Sequence, residues 1–401
     1  MKTGIFDSGR LLLLRHLQGQ RTFRPPSVVR KLGFPKKGLT SPSASATFMS
    51  EQKAKIVAYE SLASADRSAR FPGSVDRHRQ TRRPRRIPET SLGHLVEYFT
   101  LPTRALLNRC VSKRVPFAWT INPYRGCEFA CKYCYARYTH EFMEMRDGLD
   151  FERKIYVKQQ TAWLLRQELK RVKSGEQIAI GTATDPYQPA ERRFEITRSI
   201  LEELALHHGL DVGIVTKSDL IVRDIDLLSR VSEHNSLYVS LTITTLNTKL
   251  ACILEPRAPR PDLRLDALAK LAKSGINAGV ICAPVLPGIT DFPSALNKLV
   301  QATAGAGGKF IYANALFLKP CSASVFLPFL EKEFPDLVAD YRKRYADHAF
   351  VSKAYSKRLS ELMTALRKKY GIKKEGTDRG KITTEYKAEE VQLALFERCR
   401  N

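Results

Sequence analysis

The run Asn122-Pro-Tyr-Arg-Gly-Cys-Glu-Phe-Ala-Cys-Lys-Tyr-Cys-Tyr135 places Cys127, Cys131 and Cys134 in one short loop with the spacing C-x3-C-x2-C. Three thiolates at this spacing, with no fourth beside them, suit a [4Fe-4S] cluster in which one iron keeps a position for a small molecule. A structural zinc site needs four protein ligands. Cys110 upstream or His140 downstream is the residue that could complete such a tetrahedron. A disulfide framework fits poorly, because three close cysteines cannot pair off and Cys110, Cys252, Cys282, Cys321 and Cys399 are scattered singly. Free thiols of this kind point to a reducing, cytoplasmic compartment.

Working outward, the pattern from Phe117 alternates short apolar runs with longer amphipathic ones, which predicts repeated β/α units and a parallel sheet. Six strands are expected, over Ala118 to Pro123, Gln177 to Thr182, Asp211 to Thr216, Leu237 to Thr242, Ile276 to Ala283 and Lys309 to Phe317. Helices are expected between them, near 160 to 173, 196 to 208, 223 to 234, 262 to 274 and 293 to 304, with Thr197 as the N-cap of the second. In folds built of parallel β/α units the chemistry belongs at the C-terminal ends of the strands. The cysteine loop, Thr184-Asp185 and Lys217 all fall just past a predicted strand end.

The cysteine loop, with Tyr133 in its aromatic slot, resembles the radical S-adenosylmethionine (SAM) enzymes. Thr120-Ile-Asn-Pro-Tyr-Arg-Gly-Cys127, Gly181-Thr-Ala-Thr-Asp-Pro-Tyr-Gln188, Ile214-Val-Thr-Lys-Ser218 and Leu254-Glu-Pro-Arg-Ala258 are similar to the spore photoproduct lyase-related branch, over about residues 116 to 320. The resemblance implies an α/β fold, a partial (β/α)6 TIM-like barrel. It also implies a [4Fe-4S] cluster on Cys127, Cys131 and Cys134, SAM as the small molecule on the open iron, and reductive cleavage of SAM to a 5′-deoxyadenosyl radical. A one-electron donor such as flavodoxin or ferredoxin is then required.

By the same resemblance Tyr133 and Tyr135 would face the adenine, and Thr184 and Asp185 the amino end of SAM. Lys217 would meet the methionine carboxylate, and Ser240 the carboxylate or ribose. Pro186-Tyr187-Gln188 and Glu255-Pro256-Arg257 would line the substrate side, unless the latter is simply a structural turn. One departure stands out: the lyases carry a hydrogen-donating cysteine near the carboxylate after the second strand, whereas Thr182-Ala-Thr-Asp185 has no thiol. The exact reaction is therefore left open.

Composition points to the partner class. Among 401 residues, 66 Lys and Arg against 41 Asp and Glu give a net charge of +25, which favours polyanions and above all nucleic acid. No apolar run reaches the length that spans a bilayer, so no membrane partner is expected.

Residues 1 to 95 read as a basic disordered arm. The first fifty hold nine Lys or Arg against Asp7 alone, a composition shared by organelle transit peptides and by an over-extended start ahead of Met49. Residues 96 to 320 read as the catalytic core and 321 to 372 as a helical extension, in which Tyr355, Leu359, Leu362, Met363, Leu366 and Tyr370 recur at helical spacing. Residues 373 to 401 read as a flexible tail. There Gln392, Leu393, Leu395 and Phe396 resemble the short peptide that docks on the bacterial sliding clamp, or else pack as a terminal amphipathic helix. The readings that compete with a DNA repair or modification enzyme are a nucleic-acid-binding or clamp-associated protein with a structural or redox-sensing centre, and a zinc-bound adaptor.

Overall fold

The computed structural model describes residues 85–87, 96–111, 115–141, 143–145 and 147–374. The clamp-like residues Gln392 to Phe396 and nearly all of the basic arm lie outside them. Eleven strands occur among the described residues: β1 (Arg85–Ile87), β2 (Glu97–Leu101), β3 (Leu107–Arg109), β4 (Trp119–Ile121), β5 (Tyr124–Arg125), β6 (Lys154–Lys158), β7 (Gln177–Ile180), β8 (Asp211–Thr216), β9 (Ser236–Thr242), β10 (Ala278–Val285) and β11 (Ile311–Ala315).

The main sheet has the order β11-β10-β9-β8-β7-β4-β3. From β4 to β11 its pairs are parallel, and β3 adds an antiparallel edge. The six parallel strands are those expected from the sequence. Strands that neighbour in space also follow one another in the chain, each joined to the next by a helical crossover, as in a partial TIM-like barrel.

The crossover helices are α1 (Thr161–Glu168), α2 (Ile196–Leu204), α3 (Ile225–His234), α4 (Pro261–Lys273) and α5 (Pro293–Gly305), followed by α6 (Pro320–Glu333) and α7 (Lys353–Tyr370). Alternate strand residues such as Ile178, Ile180, Val212, Ile214, Val239, Leu241 and Val280 meet Leu164, Leu165, Ile200, Leu204, Leu228, Leu268 and Leu299 of the helices in one apolar core. Period-two burial on the strands and period-3.6 burial on the helices make this core, each fully buried aliphatic contributing about 1.5–3 kcal/mol. The stripe Tyr355, Leu359, Met363 and Leu366 of α7 joins it. That helix is capped by Ser352, whose side chain accepts from the Tyr355 amide at 3.3 Å, and it stops at Gly371 with φ of 64°.

Two local features differ from the sequence-based expectation. Thr197 lies inside α2, whose N-cap is Glu195, because its hydroxyl is taken by the Pro186 carbonyl at 2.5 Å. A second sheet, β1-β2-β6-β5, was not foreseen. It pairs β1, from the Arg-dense run, antiparallel with β2, and β2 parallel with β6. Its importance is positional: the chain leaves β4 in the barrel and enters β5 in this small sheet immediately before the cysteine loop.

Candidate active site

The loop from Gly126 to Cys134 follows β5 directly and packs in one apolar cluster with Phe151, Leu254 and Phe326. Gly126 has φ of +83°, and a Cβ there would stand 2.7 Å from the Lys154 carbonyl oxygen and 2.9 Å from that of Phe151. Only glycine allows this approach. Gly126→Ala is therefore expected to destabilise the protein by more than about 1 kcal/mol, read as a lower denaturation midpoint, and to loosen the loop that follows.

Backbone bonds then fix the cysteines. The Cys127 amide donates to Phe151 O at 2.8 Å, the Lys132 amide to Leu254 O at 2.9 Å and the Cys134 amide to Cys131 O at 3.2 Å. Arg137 adds a buried clamp, donating to the Cys131 carbonyl at 3.0 Å while pairing with Glu152 at 2.7 Å. Ser322 of α6 donates to the Cys134 carbonyl at 3.1 Å.

Behind the loop, Gln188 donates to the Gly126 carbonyl at 3.1 Å and accepts from the Glu128 amide at 3.0 Å. Glu128 in turn accepts from the Ala190 amide at 2.7 Å and the Tyr98 hydroxyl at 3.0 Å. The loop is thus preorganised by protein contacts alone.

All three thiols are free; Cys127 and Cys131 are buried and Cys134 is half-buried. Burial pushes the Cys127 thiol well above its ordinary pKa, with Asp185 adding to the effect, and raises Cys131 to about 12. Buried thiols of this kind are held as thiolates by metal, which makes the donor set fit an iron-sulfur cluster.

The zinc completions do not form. The Cys110 amide pairs with Ala118 O at 2.7 Å, at the other end of β4 from the loop. One ring nitrogen of His140 lies 3.2 Å from Lys154 O, and its ring packs edge-on against Phe151 and Tyr156. Among the described residues, no three His, Cys, Asp or Glu side chains converge as ligands of a single ion.

The remaining expected residues divide between the mouth of the barrel and the scaffold behind it. Lys217 follows β8 and stands 5.7 Å above the Tyr133 ring, with no ion pair among the described residues. Burial alone would favour its neutral form, but Cys131, Glu255 and Asp185 outweigh burial and its pKa is raised. Its ammonium therefore stays charged, beside the thiols.

Ser240 is buried on β9, on the opposite face from the core residues Val239 and Leu241, and so faces the barrel interior. The Tyr135 hydroxyl donates to the Thr182 carbonyl, and the Tyr133 hydroxyl donates to Glu255. The Thr184 hydroxyl donates to the Gly126 carbonyl at 2.6 Å, and so holds the loop. Asp185 accepts from Thr216 at 2.6 Å and from the Tyr187 and Lys217 amides at 2.9 and 2.7 Å, tying the end of β7 to β8.

Three residues expected on the substrate side lie elsewhere. Tyr187 is in the core, Gln188 is behind the cysteine loop, and Glu255 lies beneath Tyr133, paired with the buried Arg264 at 2.5 Å. Arg264 also donates to the Thr242 and Pro259 carbonyls at 2.9 and 2.7 Å. Sequence reasoning missed Arg264 because an arginine on an amphipathic helix ordinarily faces water.

Comparison with known proteins settles the family. The radical SAM superfamily model matches residues 121–296. The uncharacterised protein Rv2578c of Mycobacterium tuberculosis is 34% identical over 259 residues, 64% of this chain and 76% of that protein. This chain belongs to the radical SAM superfamily. The uncharacterised protein MJ0683 of Methanocaldococcus jannaschii is 31% identical over 224 residues, covering 56% of this chain and 79% of that protein.

Among solved structures, a spore photoproduct lyase variant with bound AdoMet and dinucleoside spore photoproduct superposes with a TM-score of 0.56 at 17% identity, covering 68% of this chain and 79% of that one. That likeness is one of fold. Radical SAM membership makes the protein an enzyme of that class and implies a [4Fe-4S] cluster and SAM. No helix among the described residues is long and apolar enough to cross a membrane.

Proposed function

We propose that Cys127, Cys131 and Cys134 hold the cluster, that SAM binds across the mouth of the barrel, and that the enzyme acts on DNA or a nucleotide in repair or modification. The observation that carries the site reading is the charged Lys217 ammonium over the Tyr133 ring, on the same preorganised loop as three free thiols. When bound, the cluster and SAM supply a 5′-deoxyadenosyl radical by one-electron cleavage of a carbon-sulfur bond.

The chain's own residues bind, orient and exclude. Lys217 meets the methionine carboxylate, Asp185 and Ser240 offer polar contacts to the rest of the amino acid, and Tyr133 and Tyr135 flank the nucleoside. Thr184, whose hydroxyl is spent on the loop, acts by positioning the cysteines rather than by touching SAM. The apolar residues around the loop, Phe129, Phe151, Leu254 and Leu316, keep water from the reacting centre.

Loss of the Lys217 charge removes a charge-assisted bond worth about 1.5–3 kcal/mol, so Lys217→Met is expected to raise the Kd for SAM about ten- to a hundredfold. Equilibrium dialysis checks this. An unchanged Kd would remove Lys217 from the site.

A nucleic-acid substrate is supported by the net charge of +25 and by the fold shared with a lyase whose structure holds a dinucleoside photoproduct. The test is 5′-deoxyadenosine formation by reconstituted enzyme with and without ultraviolet-irradiated DNA. Stimulation supports the reading, and indifference to both damaged and intact DNA contradicts it.

A further inference from the structure

We infer that Asn314, positioned by Tyr312 on the inner face of β11, is the reading edge of a subsite for a planar substrate group that presents an N–H beside an acceptor, as a nucleobase edge does. The inference rests on the mouth being the reaction chamber, and deepens that reading by naming what recognises the substrate.

The placement follows from the strand. Ile311 belongs to the core between sheet and helices, and Ala313 and Ala315 pack against it. Strand alternation turns Tyr312 and Asn314 the other way, into the barrel. The Asn314 Nδ2 donates to the Tyr312 hydroxyl at 2.6 Å, which fixes the plane of the carboxamide.

Asn314 is 5% exposed, and its Oδ1 has no hydrogen-bond partner among the described residues. A buried acceptor left unmatched is uncommon and costly, and a ligand N–H that reached it would remove that cost. The position adds meaning. Asn314 is the penultimate residue of β11, and Leu316, two residues on, packs in the same apolar cluster as Cys127 and Cys131. Asn314 therefore borders the same mouth as the thiols.

An amide oxygen seeks an N–H. The second Nδ2 proton of the same group offers a donor alongside, so the complement is a flat edge with a donor next to an acceptor. Carboxamides read nucleobases in this way, and enzymes that modify a base commonly hold its edge in such a pocket.

The test uses the full chain, reconstituted anaerobically, with the four deoxynucleoside 5′-monophosphates and SAM as separate probes in equilibrium dialysis. The variants are Asn314→Asp, which keeps shape and acceptors but loses the donor, and Asn314→Leu, which loses both. At least one nucleotide is expected to bind the wild type and to weaken by about tenfold or more in both variants, while the Kd for SAM stays within about twofold. Asn314→Leu is expected to melt at or above the wild-type temperature, because it removes a buried unmatched acceptor.

Absence of nucleotide binding by the wild type, or equal binding by the variants, would overturn the inference. So would a loss falling on SAM, which would assign Asn314 to the cofactor, or a lower melting temperature for Asn314→Leu, which would assign it to the fold. SAM cleavage without substrate, driven by dithionite, tests the enzyme reading separately.

Discussion

Cys131→Ala is expected to remove the cluster and, with it, all SAM cleavage. Anaerobic reconstitution of the variant should give little bound iron and sulfide and weak visible absorbance, and 5′-deoxyadenosine should fall to the background of unloaded protein. The reason lies in ligand number: two thiols cannot anchor three irons, and Cys131 is the buried centre of the loop, beside Lys217 and Glu255. Cys110→Ser is the control, since Cys110 sits at the far end of β4 and should leave both readouts unchanged. A Cys131→Ala protein that still assembled a full cluster would move the ligand set elsewhere.

The second large effect concerns folding. Arg264 and Glu255 form an ion pair with both side chains at or below 1% exposure, and Glu255 also accepts from the Tyr133 hydroxyl. Burial alone would raise the Glu255 pKa, but Arg264, Lys217 and the Tyr133 hydroxyl outweigh burial and lower it. Arg264→Met removes the main partner and leaves a buried carboxylate, so a loss of about 3–5 kcal/mol is expected. Chemical denaturation checks it.

Because the folded pKa of Glu255 is depressed, its contribution is complete above the unfolded glutamate pKa of about 4.3 and is lost as pH falls through the lower folded value. Arg264→Met should therefore lose most stability near neutral pH and less in acid. Adding Glu255→Gln should restore part of it, because the uncompensated charge is then gone. Equal stability of wild type and Arg264→Met at pH 7 would show that Lys217 alone balances Glu255.

The barrel was legible because its signals are periodic and local. Each parallel strand is a short apolar run followed by a helical stripe, and the cysteine spacing marks one mouth of the barrel. The small sheet was not legible. β5 has two residues and β1 three, and the pairing of β2 with β6 joins segments more than fifty residues apart.

For the site, the thiols and Lys217 are legible by residue type, and the fold places Lys217 over the Tyr133 ring of the cysteine loop. The surroundings of Thr184, Gln188 and Glu255 were not legible. Their polarity suggested contact with a ligand, yet their hydrogen bonds go to the loop backbone, to each other's neighbours and to Arg264. Polar residues near strand ends serve the scaffold as readily as the substrate, and only geometry separates the two. Asn314 was passed over for the same reason: nothing in Ile311-Tyr-Ala-Asn-Ala315 reveals that one amide oxygen is left unmatched.

The central claim is that this loop assembles a reactive cluster and not a closed metal site. Its most direct test is anaerobic reconstitution of the wild-type chain with iron and sulfide, then reduction in the presence of SAM and quantification of 5′-deoxyadenosine. The expected result is a coloured protein with about four irons per chain that forms the nucleoside only when reduced. A colourless protein that binds zinc, assembles no cluster and leaves SAM intact would contradict it.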